Sequence, residues 1–126
     1  MNWEDLSTVA YLALGGAVGT VLRYGVSRLF DSSQFPWGTF VVNFLGSFLL
    51  ALLFFQLLDG PGISTAVRLF LFVGVFGAFT TMSTFTVDTV SLFVNGELGL
   101  ATINVLLNAF LCLGGAFAGR SLSTLL

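Results

Sequence analysis

Four stretches of this 126-residue chain carry no charge at all: Leu6 to Leu22, Ser32 to Leu58, Leu69 to Val87 and Leu98 to Gly119. A bilayer's hydrocarbon core is about 30 Å thick and takes roughly 20 apolar residues to cross as a helix. Lipid offers no hydrogen bonds to a backbone, so an apolar stretch of this length satisfies its own peptide groups as a helix. The sequence therefore predicts an all-α membrane protein. Its four transmembrane helices are expected at approximately 6–30, 35–58, 66–94 and 98–122, in a single integral membrane domain over residues 1–126. A multi-pass protein of the cell membrane follows.

Composition closes the main alternative. Only 8% of the residues are charged and 56% are hydrophobic, whereas a soluble surface is about 25–35% charged. There is no His and no Lys, which removes His acid–base chemistry, His metal sites and Lys Schiff bases. The single cysteine excludes an internal disulfide and a multi-cysteine cluster. Four arginines are the only cations, so no basic footprint for nucleic acid exists. No nucleophile–base pairing or metal-ligand set is present, and an enzyme is not expected. A net charge of −2 is too small to steer ligands strongly.

The links have recognisable chemistry. Glu4 and Asp5 flank the first stretch where a signal peptide would need basic residues. Asp31-Ser32-Ser33 and Phe35-Pro36-Trp37-Gly38 form the first link, Asp59-Gly60-Pro61-Gly62 stops the second helix, and Asn95-Gly96 stops the third. Trp3 and Trp37 lie near span ends, where interfacial aromatics are expected.

Orientation in a membrane follows the Lys/Arg bias of short loops. With four spans, Arg68 and Arg120 fall on the side of the termini and Arg23 and Arg28 toward the other. The tie predicts a chain that inserts both ways and forms an antiparallel, dual-topology dimer. Four short helices also enclose a polar path poorly, which favours a path between protomers.

Intramembrane polar residues mark packing seams or pathways. Gly15 and Gly19 form a Gly-x-x-x-Gly face for close packing, and Arg23 follows near the boundary as an anchor or an anion-attracting vestibule residue. Thr39 and Asn43 share a face of the second helix, followed by Gly46 and Ser47. An unpaired buried Asn43 amide would cost roughly 2–7 kcal/mol, so it requires partners. In the third helix, Gly74 and Gly77 precede the run Thr80-Thr81-Met82-Ser83-Thr84-Phe85-Thr86. A mid-membrane break is expected near residues 77–81, where freed carbonyls would suit a hard cation and freed N–H groups an anion. Asn104, Asn108 and Cys112 form one stripe of the fourth helix. Amide and hydroxyl donors with aromatic edges, and no acid at the bilayer centre, suit a small anion. Asp88 is the one acid near this zone, either a vestibule residue or a group in solvent.

These residues resemble a known family. Gly-Gly-Ala-Val-Gly-Thr-Val-Leu-Arg-Tyr (15–24), the run from Pro36 to Ser47, and Gly74-x-x-Gly77-x-x-Thr80-Thr81-Met82-Ser83-Thr84-Phe85 are similar, in order, to three signatures of the Fluc/CrcB fluoride channel family. The resemblance covers essentially the whole chain. It implies a fluoride-selective channel that passively exports cytoplasmic fluoride and relieves its toxicity, built as an antiparallel homodimer in the bilayer. It implies a structural, untransported Na⁺ held by backbone carbonyls at positions matching Gly77 and Thr80. It also implies that Asn43 donates to fluoride, that Phe85 offers it a ring edge, and that Ser83 and Thr84 add hydroxyls; Thr39 and Asn108 extend the track. The chain departs from the pattern at Met82, where a phenylalanine is expected, and on the fourth helix, where Asn104 and Asn108 stand in place of Tyr and Ser. Two other readings stay open: one subunit of a heteromeric fluoride channel, and a small multidrug-type exporter. The latter normally needs a mid-membrane Glu in its first helix, and Leu6 to Leu22 has none.

Overall fold

In a computed structural model, residues 3–30, 33–58 and 62–126 are described. All the regular structure among them is helical: α1 (Trp3–Arg28), α2 (Trp37–Leu58), α3 (Thr65–Arg68), a π-helical segment Leu69–Phe76, α4 (Gly77–Phe79), α5 (Met82–Val94), α6 (Leu98–Leu106), a second π-helical segment Leu107–Leu111, and α7 (Cys112–Ser123). These make four rods of membrane-spanning length and apolarity, Asp5–Arg28, Trp37–Leu57, Thr65–Val94 and Leu98–Ser123. Large apolar side chains point outward on every rod, among them Leu14, Leu49, Phe93 and Phe117. In water that surface would be untenable; in lipid it is the solvated one.

Sequence punctuation explains most helix ends. Pro36 precedes α2, where the lack of an N–H costs nothing. Ser64 caps α3, its hydroxyl accepting from the Val67 N–H. Gly96, at φ 81°, ends α5. Its N–H donates to the Phe93 carbonyl and the Glu97 N–H to the Leu92 carbonyl, the paired bonds of a Schellman stop. Asp31, Ser32, Asp59, Gly60 and Pro61 of the expected turn clusters lie outside the described residues.

Glycines set how closely the rods approach. Gly15 lies against the Gly74 backbone and the Phe70 carbonyl, and Gly19 against the Val75 carbonyl, which seats α1 on the first π segment and α4. Gly119 packs on the Phe48 carbonyl and Gly115 under the Phe44 ring, joining α7 to α2. Small residues allow such backbone contact where lipid supplies no hydrophobic drive between helices. α5 pairs with α6. The buried apolar core is thin, with Val42, Phe76, Phe79, Leu92 and Ala101 at its centre.

Candidate functional site

Thr80 and Thr81 leave helical geometry between α4 and α5, at φ/ψ of −82°/156° and −149°/109°. The peptide groups around them find other partners. In an uninterrupted helix the Thr81 N–H would bond the Gly77 carbonyl. Here it donates to Asn43 Oδ1 at 2.7 Å. The Thr84 N–H, which would bond the Thr80 carbonyl, donates to Thr81 Oγ1 at 3.2 Å. Thr81 is thus the N-cap of α5, and α5 is anchored to α2 through Asn43. The Thr80 hydroxyl turns back to the Phe76 carbonyl, 3.1 Å away.

Asn43 sits at the centre of this arrangement. Its Nδ2 donates to the Thr81 carbonyl (3.2 Å) and to Asn108 Oδ1 (2.9 Å). Asn108 Nδ2 reaches the carbonyl and the Oδ1 of Asn104, at 3.0 and 3.1 Å. Asn108 lies in the second π-helical segment, and a π turn re-aims the side chains around it.

Two cavities flank the Thr81 hinge. One, of about 330 Å³, is lined by Asn43, Met82, Phe85 and Asn108 among the expected pathway residues, together with Ser47, Thr80, Thr81 and Cys112. The other, of about 630 Å³, is lined by Thr39, Thr84 and Asp88, with Gln34, Trp37 and Glu97. The Thr81 hydroxyl, on the first cavity, donates to Thr84 Oγ1 on the second across 2.9 Å. Polar groups therefore run without interruption from one cavity to the other. Ser83, exposed and 3.3 Å from the Thr81 hydroxyl, belongs to this cluster but lines neither cavity.

The Asp88 cavity has acidic chemistry held by neutral donors. The Thr39 hydroxyl donates to Asp88 Oδ2 at 2.6 Å, and Gln34 Nε2 donates to Glu97 Oε1 at 2.8 Å. Arg23 is half-buried on α1 and lines neither cavity, so it is not joined to Asp88 there. Met82 is 73% exposed at the start of α5, facing outward beside the Asn43 cavity that it helps to line. Gly77 is exposed, and a Cβ there would meet only the Phe72 carbonyl at 3.9 Å.

The family described as "CrcB-like protein, Camphor Resistance (CrcB)" matches residues 10–120. The chain belongs to the CrcB family. Among its relatives, a protein of Agrobacterium fabrum named fluoride-specific ion channel FluC is 44% identical over 90% of this chain and 94% of its own length. A protein of the same name from Thermus thermophilus is 46% identical over 88% of this chain and 90% of its own. A third, from Magnetococcus marinus, is 41% identical over 88% and 93%. With four spans of membrane length, this CrcB chain is a multi-pass protein of the cell membrane.

The fold brings into the cluster of this CrcB chain two groups that the sequence named only within a run or a stripe, Thr81 and Asn104, and one it did not single out, Thr89, whose Oγ1 accepts from Asn104 Nδ2 at 2.9 Å. Thr81 stands in a run of hydroxylated residues that gives no reason to choose it over its neighbours. Asn104 sits on the expected polar stripe, yet only the fold shows it fully buried. Thr89 has no signal in the sequence, because its contact with Asn104 comes from packing of α5 on α6.

Proposed function

We propose that this CrcB chain is a fluoride-selective channel that passively exports cytoplasmic fluoride. The observation that carries the proposal is the continuous line of amide and hydroxyl groups from the Asn43 cavity through Thr81 and Thr84 to the Asp88 cavity. The names of its relatives give the anion. Fluoride is small and strongly hydrated, and it leaves water only for several N–H or O–H donors held in place. Asn43 and Thr84 supply such donors, and Phe85 supplies the positive edge of its ring. Ser83 and Asn108 extend the track. Thr39 already gives its one proton to Asp88, so it acts in the path only when that bond opens. Arg23 draws anions toward a mouth from outside the two cavities.

The working unit in this proposal is an antiparallel, dual-topology homodimer. Two features support it: the Arg tie, and the outward-facing Met82 beside a cavity of one protomer. A structural Na⁺ fits the same region. The Thr81 and Thr84 N–H groups bond elsewhere, which leaves the Gly77 and Thr80 carbonyls without their usual helical donors, and carbonyl oxygens suit a hard cation. Bound there, Na⁺ would supply fixed positive charge between the protomers.

The test is fluoride efflux from liposomes containing only this chain, read with a fluoride electrode, with chloride as the control. Fast fluoride efflux without chloride efflux is expected in Na⁺ buffer, and a marked fall when N-methylglucamine replaces Na⁺ on both sides. Absence of efflux from folded protein in Na⁺ would sink the proposal for a homodimer; efflux restored by a second, different chain would establish the heteromeric form instead. Phe85→Ile keeps an apolar side chain and removes the ring edge. Fluoride efflux should drop about tenfold, the order of one lost polar contact to an anion, and an unchanged rate would take Phe85 out of the path.

A further inference from the structure

The hydrogen bonds around Asn43 do not end at Asn108. Asn104, fully buried, donates from Nδ2 to Thr89 Oγ1 at 2.9 Å, and the Thr89 hydroxyl donates to the Phe85 carbonyl at 2.7 Å. Three amides and one hydroxyl thus form a chain that starts and finishes on the backbone of one segment, from the Thr81 N–H to the Phe85 carbonyl.

The two ends have fixed polarity. A backbone N–H can only donate and a carbonyl can only accept. At one end the Thr81 N–H obliges Asn43 to turn its oxygen toward it, so the Asn43 nitrogen faces Asn108. At the other end the Phe85 carbonyl takes the Thr89 proton, which leaves the Thr89 oxygen as an acceptor and obliges Asn104 to present its nitrogen. The Asn104 oxygen then faces Asn108, and Asn108 must turn its nitrogen to Asn104 and its oxygen to Asn43. Every link agrees with both ends. A single reversed amide would place two donors or two acceptors face to face inside the protein, which is costly at low dielectric.

We propose that Asn104 and Thr89, which line neither cavity of the path, are positioning residues that hold Asn108 Oδ1 on the Asn43 amide and so keep its second proton engaged until an anion displaces it. Both protons of the Asn43 amide are engaged, one by the Thr81 carbonyl and one by Asn108 Oδ1. An anion gains an Asn43 proton only by displacing one of these neutral acceptors. Hydrogen bonds to an ionised acceptor are about twice as strong as neutral ones, and fluoride, the smallest halide, makes the strongest of them. A larger halide with weaker hydrogen bonds does not repay the exchange. The relay thereby acts as a threshold for selectivity. This inference rests on the fluoride reading for its effect on flux, though not for the amide directions themselves.

Two readouts on the full-length chain test it. Thr89→Val removes the hydroxyl at constant shape, and Asn104→Leu removes the buried amide; Thr89→Ser restores the hydroxyl. In ¹⁵N-labelled protein in detergent, hydrogen exchange of the Asn43 and Asn108 side-chain amides should rise about fivefold in Thr89→Val, the order expected for one lost hydrogen bond, and return in Thr89→Ser. In liposomes the fluoride-to-chloride flux ratio should fall by a similar, about fivefold factor in Thr89→Val, with the fold intact by circular dichroism. Should Asn104→Leu fail to fold, Thr89→Val alone decides. Unchanged exchange and an unchanged flux ratio in folded Thr89→Val overturn the proposal, as does a lower total flux at constant exchange and ratio. If the parent chain passes no fluoride, the fluoride reading falls, while the exchange measurement still accepts or rejects the relay.

Discussion

Gly19→Ala is expected to destabilise the protein by about 3 kcal/mol, the upper part of the range for forcing a methyl into a packed interior. A Cβ at this position would overlap the Val75 carbonyl oxygen and press on Ala78 Cβ, 3.1 Å away. The Val75 oxygen belongs to a helical backbone and cannot rotate aside, so α1 would have to withdraw from the first π-helical segment and α4. Gly15, one turn earlier, makes the same kind of contact with the Phe70 carbonyl, so withdrawal would open the whole seam. Gly16→Ala is the control: a Cβ there meets nothing within 4 Å. Thermal unfolding in detergent, followed by circular dichroism, should show a large loss for Gly19→Ala and none for Gly16→Ala. Equal unfolding temperatures for the two variants would show that the α1 seam is softer than its backbone contacts imply.

Asn43→Leu should cut fluoride efflux about ten- to a hundredfold, the factor matching loss of a hydrogen bond to a charged group. The side chain is nearly isosteric, so the loss is of donors and an acceptor and not of volume. The Thr81 N–H and carbonyl and Asn108 Oδ1 all lose a partner at once. Each unsatisfied buried group costs about 1–3 kcal/mol, so a fall in stability is expected beside the fall in flux. Flux measured per folded protein in liposomes, with folded protein quantified by size-exclusion chromatography, separates the two effects. Near-normal flux per folded molecule would remove Asn43 from the path and leave it a purely structural anchor for α5.

The partners of Asn43 show where sequence reading reaches its limit. That an amide in the second span needs partners follows from its burial cost alone. Which partners it takes does not. They lie 38 and 65 residues away along the chain, on Thr81 and Asn108, and nothing local to residue 43 names them. The expected pathway residues divide in the same way. Thr39 and Asn43 share a helix face by spacing, yet Thr39 opens on the Asp88 cavity and Asn43 on the other. The extended residues between them, Thr80 and Thr81, turn one polar face into two chambers. Arg23 and Ser83, chosen by charge and hydroxyl content, line neither.

The four apolar rods, their membrane surroundings and several of their ends are legible in the order of residues alone. Each depends on properties that add up along a continuous stretch: apolar length against the thickness of the bilayer, and turn chemistry at Asn95-Gly96 or before Trp37. The small face at Gly15 and Gly19 was legible too, though not its partners. That Gly15 meets Gly74, that the Thr81 N–H turns to Asn43, and that Asn104, Asn108 and Thr89 continue that bond with one permitted direction all come from packing between rods. Hydropathy is summed over neighbours in sequence. A hydrogen bond depends on the distance and polarity of two atoms that packing brings together, and in this protein those atoms come from separate rods.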